Sequence, residues 1–225
     1  MAKISTHVLL VEGFSDRDFF QQVCKLLKLN PLVTVATSKD YQGIRNTKED
    51  VFKLLPDLLT QIGNGNIERL AVVVDADKID HGSGYEKTIN KIKEITAHQG
   101  FTLAENQTHG LLFKHDGNLA DLGLWIMPNN QDEGMLESFI KQCVKTDELA
   151  LFNHAAQTVQ NLPDTKKFEA HHEVKAEVAT WLAWQKKPGH GLYHSLQADL
   201  LDTNHALFQE MQQWLKNIFT QTHPQ

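Results

Sequence analysis

Two short apolar runs, each closed by acidic residues, constrain this chain more than anything else in it. The first is Val8-Leu9-Leu10-Val11, followed by Glu12-Gly13 and, four residues beyond the glutamate, by Asp16. The second is Leu70-Ala71-Val72-Val73-Val74, followed by Asp75-Ala76-Asp77. Near-continuous apolar runs of this length read as strands buried on both faces, the kind found in parallel sheets covered by helices. Each run then delivers carboxylates at its carboxyl end, the edge where open α/β sheets bind ligands. Like charges gathered in one site resist joint ionisation, so carboxylates that meet there need a cation between them. The expectation is a magnesium or manganese site suited to phosphoryl-transfer chemistry.

The intervening segments alternate helix and strand. Gly13-Phe14 makes a turn and Ser15 is a candidate N-cap for a helix from Asp16 to Leu27, with Phe19, Phe20, Val23, Leu26 and Leu27 at helical spacing. Pro31 restarts the chain and residues 32–36 read as a second strand. A polar loop follows at 38–46, then a helix over 48–62, which Gly63-Asn64-Gly65-Asn66 breaks before the Leu70–Val74 strand. This β-α-β-α-β order predicts an α/β fold with a mostly parallel sheet. Its right-handed crossovers align the strand ends on one edge, so that Glu12 and Asp75 meet. Beyond Asp77 come a loop with Gly82 and Gly84, a charged helix over 85–98, and two strands, 111–113 and 122–127, with Asp116-Gly117 as a turn between them. A polar loop (128–134) leads into a helix with Met135, Leu136, Glu137, Phe139 and Ile140. From about Lys145 the chain reads as wholly helical, including a segment over 168–185, and a soft boundary divides 1–145 from a helical subdomain, 146–225, packed on the core. The stripe Leu207, Phe208, Met211, Trp214, Leu215, Ile218 and Phe219 reads as core rather than as a base-stacking platform.

Composition narrows the class. A chain of 225 residues with 41% hydrophobic residues can bury a sizeable core, and its mean hydropathy of −0.38 is that of a soluble protein. No apolar run approaches the ~20 residues of a membrane-spanning helix, and with Met1-Ala2-Lys3 leading into the first strand no signal peptide is expected. A cytoplasmic location is expected. Two cysteines, Cys24 and Cys143, suit neither a disulfide framework nor a Cys-based zinc site. The net charge of −6 and just three arginines, Arg17, Arg45 and Arg69, lack the basic footprint of a dedicated DNA-binding domain. Lys166, Lys167, Lys175, Lys186 and Lys187 form a modest positive cluster, read equally as a solvated helix face or as a patch that steers a phosphate backbone. Among twelve histidines, His190 and His194 have i, i+4 spacing, but no His-Glu-x-x-His pattern is present and Gly191 interrupts them. They and His171-His172 read as structural or solvated, and Asp132 and Glu133 as helix N-terminal charges.

The sequence Val11-Glu12-Gly13-Phe14-Ser15-Asp16, followed by Val74-Asp75-Ala76-Asp77, resembles the Toprim domain of topoisomerases, bacterial primases, recombination proteins and the overcoming-lysogenization-defect (OLD) nucleases. The resemblance covers roughly residues 5 to 145 and implies a Rossmann-like Toprim core. The Glu-x-x-x-Asp form of the first motif looks most like the OLD-type nucleases, and Gly134-Met135-Leu136-Glu137-Ser138-Phe139 is similar to their helical motif with a further acidic ligand. Leu182-Ala183-Trp184-Gln185 and Pro188-Gly189 look like a stand-alone Toprim-related family of unknown function. What the resemblance implies is Glu12 as metal ligand or acid/base group, Asp16, Asp75, Asp77 and Glu137 as ligands of magnesium or manganese, and Lys175 as a late catalytic lysine. The implied activity is phosphodiester hydrolysis of nucleic acid. The topoisomerase tyrosine has no counterpart here. A non-catalytic metal- and phosphate-binding module, or a partner subunit of an ATPase encoded elsewhere, is the alternative, since the chain has no Gly-x-x-x-x-Gly-Lys-[Ser/Thr] loop.

Overall fold

In the computed structural model, which describes residues 6–36, 47–79, 83–105, 109–164 and 166–220, the first apolar run is an inner strand of a six-stranded sheet. This strand, β1 (His7–Val11), pairs in parallel with β2 (Leu32–Val35) on one side and with β3 (Arg69–Asp75) on the other. A fourth parallel strand, β6 (Leu122–Met127), lies beside β3. Two antiparallel strands, β5 (Leu111–His115) and β4 (Phe101–Leu103), complete the order β2-β1-β3-β6-β5-β4. The sheet is thus mostly parallel, as the apolar runs predict. Strand β4 was not anticipated, since three residues are too few to show a period. The predicted loop at 38–46 and Gly82 lie outside the described residues.

Side chains alternate across a strand, and the two faces of the sheet feed two apolar cores. Val8, Leu10, Leu70, Val72 and Val74 point to one core, covered by α2 (Lys48–Gly63) and α3 (Tyr85–Ala97). Leu9, Val11, Ala71, Val73, Trp125 and Met127 point to the other. That second core takes in α1 (Phe14–Leu26) and α4 (Leu136–Gln142) together with the later helices α5 (Leu149–Gln160), α6 (Glu173–Ala183), α7 (His194–Gln197) and α8 (Ala206–Thr220). Trp181, Trp214 and Phe208 are fully buried in it, so the aromatic stripe is core. The helix predicted over 168–185 is shorter: a 3-10 turn at Ala170–His172, which holds both histidines, precedes α6. Cys24 and Cys143 are free, and burial pushes both thiols up to about 12.

Helix α8 lies so close to β6 that a Cβ at Gly123 would stand 2.7 Å from Ile218 Cγ1. The missing side chain lets Trp214 reach the sheet, where its ring centre is 5.6 Å from that of Trp125. No helix among the described residues is long and apolar enough to cross a membrane.

A carboxylate pocket at the carboxyl edge of the sheet

In β-α-β units the strands end, and the following helices begin, on the same edge of the sheet, and the pocket is built from those ends. Glu12 follows the last residue of β1, and its Oε2 accepts a hydrogen bond of 3.3 Å from the backbone N–H of Asp75, the last residue of β3. Asp16 stands in the first turn of α1. That helix starts one residue earlier than its candidate cap: Gly13 occupies the cap position, and Ser15 lies inside the first turn. Gly13 has extended backbone, but a Cβ there would come within 2.9 Å of Asp16 Oδ2. The small residue keeps room for that carboxylate.

Asp75 Oδ1 in turn accepts from the backbone N–H of Leu136, 3.1 Å away, which opens α4 and brings Glu137 in its first turn to the same place. From the far side α6 contributes Lys175. Glu12, Asp16, Asp75, Glu137 and Lys175 thereby line one cavity of about 350 Å³, with Phe14, Leu136 and Leu192 among its other walls. Lys175 is exposed at its rim and the four acids are half-buried. Of the lysine cluster read from the sequence, Lys175 is the member that lines this cavity.

The electrostatics follow from the crowding. Burial, then the charges of Asp77 and Asp16, push the Glu12 carboxyl up to about 7. Burial and the neighbouring Glu137 push Asp16 up to about 6. Asp75 is raised well above the ordinary range, by burial first and then by Glu12, Asp16, Glu137 and Asp77. Burial also raises Glu137, with Lys175 opposing. For Lys175 itself burial works against the ammonium, yet Glu137, Asp75, Asp16 and Glu12 outweigh it and its pKa rises.

Asp77 goes a different way. Its φ of +61° is left-handed, a conformation that aspartate tolerates better than most residues. Its backbone exchanges hydrogen bonds with Gly134, N–H to O at 2.8 Å and O to N–H at 3.2 Å. The turn delivers its carboxylate to Lys48, with Oδ2 2.6 Å from Nζ. Asp77 is near enough to raise Glu12 but is not among the residues lining the cavity. Sequence reasoning missed Lys48. A signal was present: Thr47-x-x-Asp50 is a capping box, formed as such in the structure, and it sets Lys48 at the start of a helix that begins on this same edge.

The donor set suits a hard divalent cation, since the cavity is lined by carboxylates with neither histidine nor cysteine among them. Among the described residues no three His, Cys, Asp or Glu side chains stand together so as to hold one ion by themselves. Water and substrate oxygens would have to supply much of the shell, which is the usual arrangement for magnesium, held by one or two carboxylates.

Fold and pocket define an α/β protein with an acidic cleft at the carboxyl edge of a mostly parallel sheet. The family model described as "Protein of unknown function (DUF3226)" matches residues 6–220, and the chain belongs to that family. The comparison with curated proteins found no match, and neither did the comparison with solved structures.

Proposed function

We propose that this protein catalyses divalent-metal-dependent phosphoryl transfer, and most concretely the hydrolysis of phosphodiester bonds in nucleic acid. One observation carries the reading: four carboxylates from three separate stretches of chain, Glu12 and Asp16, Asp75, and Glu137, line one cavity together with Lys175. The resemblance of the Glu12 and Asp75-Ala76-Asp77 motifs to those of Toprim nucleases supports it. Asp16, Asp75 and Glu137 are the carboxylates from which one or two would hold magnesium or manganese, with water and substrate oxygens completing the shell, and Glu12 is either a further ligand or the acid/base group. Such an ion, when bound, supplies Lewis acidity and a more acidic water. Where it is not bound to the ion, Glu12, whose carboxyl burial and its acidic neighbours push up to about 7, is suited to take or give a proton near neutral pH. Lys175, at the rim, offsets charge that builds on the phosphoryl oxygens.

The test is direct. Purified protein with manganese is expected to cut DNA or RNA, read as products on a denaturing gel, and Asp75→Ala is expected to lower the rate by at least ~100-fold. If phosphate compounds raise the melting temperature with metal present and no product forms, the hydrolytic reading is wrong and a binding module is left.

A further inference from the structure

The ammonium of Lys48 sits in a cage of oxygens. Its Nζ is 2.5 Å from Ser83 Oγ, 2.6 Å from Asp77 Oδ2, 3.0 Å from the Asp75 carbonyl, 3.2 Å from the Ala76 carbonyl and 3.4 Å from Thr88 Oγ1. An ammonium has three protons to donate, so five oxygen neighbours are more than its hydrogen bonds require. One carboxylate, two carbonyls and two hydroxyls are instead the ligand set of a hard cation. The side chain is 12% exposed.

Its location is unfavourable on local grounds. Lys48 is the first residue of α2, where the helix dipole favours negative charge. Glu49 and Asp50 in the same turn answer that preference, but Lys48 opposes it. What holds the ammonium is therefore the cage, which joins the end of β3, the turn at Asp77, Ser83 and α3. The cage borders a cleft of about 530 Å³ between α2 and α3, lined by Lys48, Ser83 and Thr88 among others. Solution cations thus have a route to it once the side chain is shortened.

We propose that Lys48 is a built-in monovalent cation: its ammonium occupies a cation site formed by Asp77, Ser83, Thr88 and the Asp75 and Ala76 carbonyls. Asp77 is thereby committed to Lys48 and is not a ligand of the carboxylate pocket. The inference deepens the proposed function, since it leaves that pocket to a single divalent ion, but the cage itself does not depend on any activity.

The test is made on the full chain with Lys48→Ala, which empties the cage, and Lys48→Met, which fills it without charge. In choline chloride both variants are expected to melt roughly 5–10 °C below the wild type. Replacing choline by potassium or ammonium at equal ionic strength should restore several degrees to Lys48→Ala and leave Lys48→Met and the wild type unmoved. Should Lys48→Ala be unfolded in choline, potassium or ammonium is expected to refold it, read by circular dichroism. The proposal is overturned if neither salt stabilises or refolds Lys48→Ala, or if Lys48→Met responds equally. Manganese binding by the wild type separates the two readings. One ion per chain agrees with both, two ions overturn the single-ion part, and none counts against the proposed function while the salt response still decides the cage.

Discussion

Ionising Glu12 in the folded chain sets a charge in a buried place beside Asp77 and Asp16, and its carboxyl is raised to about 7 from an ordinary 4.5. A folded-state pKa above the unfolded one means that the folded chain holds the proton more tightly. The stability this group contributes is therefore complete below about 4.5 and lost as the pH rises to about 7. Asp16, Asp75 and Glu137 are shifted in the same direction. Glu12→Gln, which can still accept the Asp75 N–H, is expected to melt with the wild type near pH ~4.5 and a few degrees above it near pH ~8 without divalent ions. Melting curves over that range check it. Manganese should narrow the gap by stabilising the wild type more than the variant. Gly13→Ala tests a subtler point: extended backbone admits alanine, but the methyl displaces the Asp16 carboxylate. Manganese affinity is expected to fall ~10-fold with a melting temperature within about 2 °C of the wild type, measured by calorimetric titration and scanning fluorimetry. The carboxylates were legible in the sequence because each stands at a strand end or in the first turn of a helix. The capping box marks where Lys48 stands, but its pairing was not legible, because its partner is set by the left-handed turn at Asp77, which no periodicity reveals.

At the scale of elements, the position of Lys175 depends on how α6 meets α4. Two residues along from it, Glu177 is buried at 2% exposure and its Oε2 lies 2.6 Å from Lys141 Nζ on α4, the helix that carries Glu137. A buried carboxylate left without its partner is strongly destabilising, whereas replacing both partners by apolar groups is often neutral. Lys141→Met alone is therefore expected to lower stability by about 2 kcal/mol, less than for a fully buried pair because the lysine is 42% exposed. Lys141→Met with Glu177→Leu should recover most of it. Denaturant unfolding of the two single variants and the double variant measures the coupling. This bridge could not be read from the sequence, because residues 36 apart become neighbours only through the packing of helices whose crossing the apolar stripes leave open. The helices themselves were legible from those stripes. Strand β4 and the 3-10 turn before α6 were not, being shorter than any period that would mark them.

For the whole molecule, the decisive feature is that β1, β3 and β6 share one apolar cluster with α1 and with every helix from α4 to α8. Phe139 and Phe208, for example, have ring centres 5.5 Å apart. Sheet and C-terminal helices should then melt together, giving a single calorimetric transition, and two resolved transitions would mean that the stretch after residue 145 folds apart. The pocket has the same dependence on the complete fold, since it draws on Glu12 and Asp16, then Asp75, then Glu137, then Lys175. In the unfolded chain these groups are strangers, and their repulsion arises only once the fold has closed around them. On the proposed reading a divalent ion finds its site in the native form alone, so mass action ties the folded fraction to the free ion concentration, and a chelator acts on this protein as a mild denaturant.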